Sequence, residues 1–344
     1  MDGYSQNDSD PLPGHDALAD QKMIGIDSFA DALDQTIAFV SKTFSREIEQ
    51  QRLYYHGWGH VHGVARRARL IFDTVVSCDD VSSDKNIEQS SASTVSPDLE
   101  RQRDLLQLCA IAHDMLQIFS PQLSPHTSRQ RQSGRSEKAT VDALVDFIEQ
   151  LNQRVVSSAS TASVPDVRFS TADIAIIREA IESTICQYDP TDGSIYQPLL
   201  YPQHQDKASI SLVARCLALA DIGTLGIEGI DAYTHEASLL LLEENLDIVD
   251  FLGGESSFDN MFKENLRFRL LQRAQFEVSF AKGRLARLDA ELQGLSTRAI
   301  ATLKRDVFKH LTPATIRRLE TITPTAEGTT LSELLDYFQL RSIV

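Results

Sequence analysis

Four short segments carry residue types that could do chemistry together. Tyr55-His56-Gly57-Trp58-Gly59-His60 sets two imidazoles four residues apart. His113 and Asp114 are adjacent after an apolar run. Glu137-Lys138-Ala139 follows a loop rich in arginine, and Ala220-Asp221-Ile222-Gly223 closes a second apolar run. If the chain is helical from Trp58 onward, His56 and His60 face one pocket from successive turns.

The two aspartates matter most. Each stands near the C-terminal end of an expected helix, at the negative end of the macrodipole, in apolar surroundings. Burying a carboxylate there without a partner costs several kcal/mol. No lysine or arginine lies within a helical turn of Asp114, and Arg215 is nearly two turns before Asp221. One shared divalent cation would relieve both. Two imidazoles and two carboxylates suit Mn, Fe, Co, Ni, Zn or Mg. Taken singly, a histidine can be a satisfied core residue and a late aspartate a helix-end hydrogen-bonding group. The order of all the segments together favours the cation.

The elements that must position these groups read as helices. Phe29, Leu33, Ile37 and Val40 form one stripe, and Val61, Val64, Ala68 and Ile71 a second. Further helices are expected over 101–114, 137–153, 171–186 and 208–222, the third of these capped by Thr171 with Asp173 in its first turn. A long amphipathic helix follows from about Phe258 to Leu292, with Phe262, Leu266, Leu270, Phe276 and Phe280 as its apolar residues, then shorter helices. Ser-rich insertion loops are expected near 77–100, 120–136 and 157–170. Pro190, Gly193, Pro198 and Pro202 mark 188–205 as loop, and no convincing period-two strand occurs. The class is all-α: a helical bundle with loop insertions and a C-terminal helical extension. The expected division is a disordered tail over 1–24, a main domain over 25–254, and a helical region over 255–344 packing on it.

The chain has 344 residues, 42% hydrophobic and 24% charged, an ordinary soluble composition. Its net charge of −16 disfavours a broad docking face for nucleic-acid polymers or anionic membranes. An anionic ligand would need a local cation and a few arginines. Cys78, Cys109, Cys186 and Cys216 form no CxxC pair, so a reducing compartment is expected. The polar start from Met1 to Asp20 does not resemble a secretory signal, and no run approaches the ~20 apolar residues of a membrane span. A cytoplasmic location is the expectation.

The ordered segments resemble the HD superfamily of metal-dependent phosphohydrolases, whose pattern is His, then His-Asp, then Asp on successive helices. The resemblance is nearer to a branch of small predicted HD phosphohydrolases. Its YHNxxH segment reads YHGWGH here, with Gly57 in place of Asn. A Glu followed by a small residue reads SEKA from Ser136, and an isoleucine-rich helix ending in threonine reads AIEST up to Thr184. The likeness spans roughly Ser28 to Leu292 and leaves the chain beyond about Leu295 unexplained.

That resemblance implies one divalent metal held by His60, His113, Asp114 and Asp221, and a small phosphorylated substrate attacked by metal-activated water. It implies His56 as the proton donor to the leaving oxygen, a role suited to histidine. Arg129, Arg131 and Arg135 are candidate phosphate clamps, with Lys138 a weaker one. Polar loops also carry arginines for solubility alone. Glu137 could bind substrate, accept a proton or orient a ligand, or simply be a first-turn acid. Thr184 would support the site from behind. A two-metal oxygenase needs additional histidines between the His-Asp pair and the last Asp. Only His126 and His204 fall there, both in expected loops, and Thr184 stands where such a ligand would sit. A non-catalytic module sensing a nucleotide or metal is the other alternative, and a homodimer is left open.

Overall fold

The computed structural model describes residues 26–83, 96–122, 124, 126–158, 167–201, 210–254 and 259–343. The expected tail over 1–24, half of the first insertion, most of the third, and His204 lie outside them. The described residues are all-α apart from one small hairpin.

Helix α1 (Phe29–Gln51) starts where the Ser28 side chain accepts the Asp31 backbone N–H, and stops where Arg52 turns left-handed at φ 52°. Helix α2 (Trp58–Ser83) buries its expected stripe of Val61, Val64, Ala68 and Ile71 completely. It runs into the region expected as insertion, and α3 (Pro97–Ala112) begins earlier than its apolar run, with proline in the first turn where no N–H is needed. Helix α4 (Arg135–Ser158) precedes α5 (Thr171–Glu182). The cap of α5 is Ser170, not Thr171: Ser170 and Asp173 form a reciprocal capping box.

The stretch expected as plain loop contains a hairpin of β1 (Gln187–Asp189) and β2 (Ser194–Tyr196), antiparallel with Tyr188 opposite Ile195. Helix α6 (Leu212–Asp221) follows, and every residue from Val213 to Ala220 is buried. It packs against α2, α3 and α5, while α1 lies on α3 and α4 on α5. These helices share one apolar cluster.

Short α7 (Thr224–Glu228) leads to α8 (Ile230–Glu244), α9 (Leu246–Leu252) and the long α10 (Asn260–Glu291). The chain ends in α11 (Thr297–Thr302), one π turn over Leu303–Val307, α12 (Pro313–Ile322), α13 (Leu331–Tyr337) and α14 (Leu340–Ile343). Helix α10 bridges two apolar clusters. Leu266 and Leu270 join Leu334 and Phe338, whereas Ala281 and Leu288 join the core built by α2, α3 and α6. Leu303, Phe308 and Leu319 enter that same core, so the C-terminal helices pack directly on the helices that carry the candidate ligands. No helix among the described residues is long and apolar enough to cross a membrane.

Candidate metal centre

Three helix ends meet at one point. His60 lies in the first turn of α2, His113 and Asp114 follow the last turn of α3, and Asp221 ends α6. Each of the four residues offers a ligand atom, and these atoms lie within 4.8 Å of one another. The close packing of α2, α3 and α6 fixes this convergence. Arg67, 1% exposed, braces it by donating from Nε to the Ala220 carbonyl at 2.8 Å. That guanidinium answers a carbonyl at the negative end of α6.

The spacing matches ligands around one ion. His60 Nε2 is 3.4 Å from Asp114 Oδ2 and 3.3 Å from Asp221 Oδ1. His113 Nε2 is 2.9 Å and 3.6 Å from the same two oxygens. Two atoms bound at about 2.1 Å to a common ion stand about 3 Å apart when adjacent and about 4.2 Å apart when opposite. Both Nε2 atoms are buried and form no directed hydrogen bond, an arrangement that protein groups rarely tolerate.

The outward atoms, by contrast, are mostly tied down. His113 Nδ1 donates to the Ala110 carbonyl at 2.9 Å, which sets the tautomer with the Nε2 lone pair facing the cluster. Asp114 Oδ1 accepts from Gln117 at 3.1 Å and from Arg131 at 3.2 Å, leaving Oδ2 inward. Asp221 Oδ2 accepts from Gln197 at 3.1 Å, leaving Oδ1 inward. His60 Nδ1 is the exception, buried without a hydrogen bond. Each carboxylate thus has one oxygen held and one offered. The donor set fits a borderline or hard divalent cation.

In the metal-free chain, protons would do the neutralising. Burial disfavours charge on His113, but Asp114 and Asp221 outweigh it and push its pKa up to about 10. His60 moves in the same direction for the same reasons. Burial would raise both aspartates, yet the imidazoles hold Asp114 and Asp221 well below the usual carboxylate range.

A cavity of about 200 Å³ opens beside the cluster and is lined by Asp114 and Asp221. That is below the usual range for drug-sized ligands, so it suits a small molecule. His56 lines it, held by a residue that sequence reading overlooked. Glu243, fully buried at the end of α8, accepts the backbone N–H groups of Tyr54, Tyr55 and His56, each at 3.0 Å, through Oε2. Its Oε1 pairs with His56 Nδ1. Burial works to raise Glu243, but the His56 ring, the His56 backbone N–H and Arg129 hold it below the usual range. With Nδ1 committed, His56 has Nε2 left for a ligand. The signal was available: Glu243 follows the run Leu239-Leu240-Leu241-Leu242, just as Asp114 and Asp221 close apolar helices.

The expected phosphate clamps separate. Arg131 lines the cavity, between Asp114 and Glu137, to which it donates at 2.8 Å. Arg129 is instead spent on backbone, donating to the carbonyls of Glu243, Gln51 and Arg52. It ties α1 to α8 and corrects the expectation of a clamp. Arg135 bonds Gln132 at the surface, and Lys138 bonds Asp142 at 2.6 Å with its side chain 73% exposed. Neither lines this cavity. Glu137 does, 1% exposed, accepting from Arg131 and from the Gly134 backbone at 2.6 Å. Thr184 also reaches the wall, with its hydroxyl on the Ile181 carbonyl. His126 is far from the centre in its bonding, paired with Asp247 at 3.2 Å.

No protein-family model, curated protein or solved structure matches this chain.

Proposed function

We propose that the chain is an HD-type phosphohydrolase that cleaves a small phosphoester with the help of one divalent metal. The observation that carries this reading is the cluster of His60, His113, Asp114 and Asp221, whose inward atoms have the spacing of ligands while most of their outward atoms are anchored. A cation held there would lower the pKa of a bound water and offset phosphate charge.

The chain's own residues divide the remaining work. Asp114 and Asp221 keep fixed orientations because Gln117, Arg131 and Gln197 hold their outer oxygens. Arg131 is the cationic side chain beside the centre, and its planar fork matches phosphate oxygens. Glu137 holds Arg131 in place from the other side. His56 Nε2 is the proton donor to the leaving oxygen, and Glu243 fixes the ring from Nδ1. The proton passes from His56 to the leaving group as the P–O bond breaks, and water resupplies it.

The test is phosphate release by metal-loaded protein from a panel of small phosphoesters, with Mn or Mg added. The expected result is turnover that disappears in His113→Ala and Asp114→Ala. Binding of phosphoesters without turnover by the intact, metal-loaded protein would contradict it and favour a sensor.

A further inference from the structure

Beyond the metal centre, the cavity wall is acidic and aromatic. Arg273, Phe276, Glu277 and Phe280 recur at helical spacing, so they share one face of α10. All four line the cavity, as does Glu244 of α8. The apolar stripe expected for this helix divides here. Phe262, Leu266 and Leu270 are core, while Phe276 and Phe280 are half-buried wall residues stacked with centroids 6.0 Å apart.

Glu277 is 1% exposed; its carboxylate oxygens make no hydrogen bond of ordinary geometry, and the Tyr337 hydroxyl stands beside them. Its ion-pair partner is Arg273, whose Nε is 3.5 Å away. Arg273 is shared with Glu244 at 3.7 Å, so one guanidinium faces two carboxylates. Arg131, the other cationic side chain of the wall, is already set between Asp114 and Glu137. Glu236 differs, since Arg67 at 3.1 Å and Thr224 at 2.6 Å satisfy it. A buried carboxylate lacking hydrogen bonds is costly unless something supplies positive charge. Burial accordingly pushes Glu277 up to about 8 against the pull of Arg273 and of the Tyr337 hydroxyl.

We infer that this wall receives a cation: the substrate class is a phosphoester whose far end carries an alkylammonium group, seated against Glu277 and Glu244 beside the rings of Phe276 and Phe280. Carboxylates beside aromatic faces suit an ammonium, because the ring quadrupole adds to the ionic attraction. Placing the phosphate end at the metal centre rests on the phosphohydrolase reading. The cation subsite itself does not.

Choline and 3,3-dimethylbutan-1-ol separate the two ideas, because the second replaces the ammonium nitrogen with carbon at equal shape. Calorimetry on the full chain should show choline binding at least about tenfold more tightly. Glu277→Gln and, independently, Glu244→Gln should narrow that preference, with melting curves confirming that each variant is folded. Equal affinities, or no choline binding, would overturn the inference. So would inorganic pyrophosphate binding through Arg273 in place of choline. Phosphate release from phosphocholine and 3,3-dimethylbutyl phosphate is read separately. Equal turnover of both would overturn the subsite and leave the hydrolase reading standing. A retained choline preference with no turnover of either ester would do the reverse.

Discussion

At the scale of single residues, His56 and Glu243 are paired through the ring nitrogen, and the proposed chemistry makes them one unit. Removing a general acid typically costs 10²–10⁴-fold in rate. His56→Ala is expected to lower kcat by about that much with little change in KM. Glu243→Gln should lower kcat by a smaller factor, and the double variant should be no worse than His56→Ala alone. Steady-state kinetics on all three check this, and additive losses would show that Glu243 does not act through His56. Arg131→Ala should lower kcat/KM by about 10–100-fold, an order set by losing one charge-assisted clamp. Arg135→Ala and Lys138→Ala should stay within about twofold, because both side chains bond elsewhere at the surface. The ligand-type residues could be read from the sequence because carboxylates rarely end apolar helices without a reason. The same rule extends to Glu243, which closes the leucine run of α8. Arg129 departs from the expected clamp because loop arginines look alike in sequence, and only the fold reveals which backbone carbonyls lie in reach.

At the scale of elements, the site is a meeting of helix ends. Such ends are sensitive to the turns beside them. A side chain at Gly223 would put its Cβ 2.5 Å from the Leu219 carbonyl oxygen, so the turn after Asp221 admits only glycine without a shift of backbone. Gly223→Ala should therefore cost about 1–3 kcal/mol of stability, and weaken metal retention by moving Asp221. Denaturant melts and metal content measure the two effects, and an unchanged variant would show that the turn is slack. Helix positions are readable because the apolar stripes of α1 and α2 are long and regular and α6 is apolar on all sides. Hairpin β1–β2 was not, since three-residue strands are too short to display alternation, and Pro190 and Gly193 read as loop. The cap of α5 shifted by one residue because Ser170 and Thr171 are both good caps and only backbone geometry chooses.

At the scale of the whole molecule, α8 and α10 bring an acidic wall to helices far away in sequence, which no local pattern announces. One consequence is a pH dependence of stability. Glu277 has an ordinary value of 4.5 that burial, opposed by Arg273 and the Tyr337 hydroxyl, raises to about 8 in the fold. Between these values the folded chain binds more protons than the unfolded one. Its contribution is complete below about 4.5 and is lost as pH rises through about 8. Wild type should lose stability over that interval relative to Glu277→Gln, in denaturant melts at a series of pH values. Parallel curves would contradict it. A bound metal adds to the same balance, since occupancy at 100 times Kd stabilises a fold by about 2.7 kcal/mol.

The most direct measurement is metal stoichiometry by elemental mass spectrometry after loading with Mn or Fe and extensive dialysis. One tightly retained ion per chain is expected for wild type, and less than about a tenth of an equivalent for folded His113→Ala and Asp221→Ala. Equal retention by wild type and both variants, or none in wild type, would contradict a metal centre at His60, His113, Asp114 and Asp221.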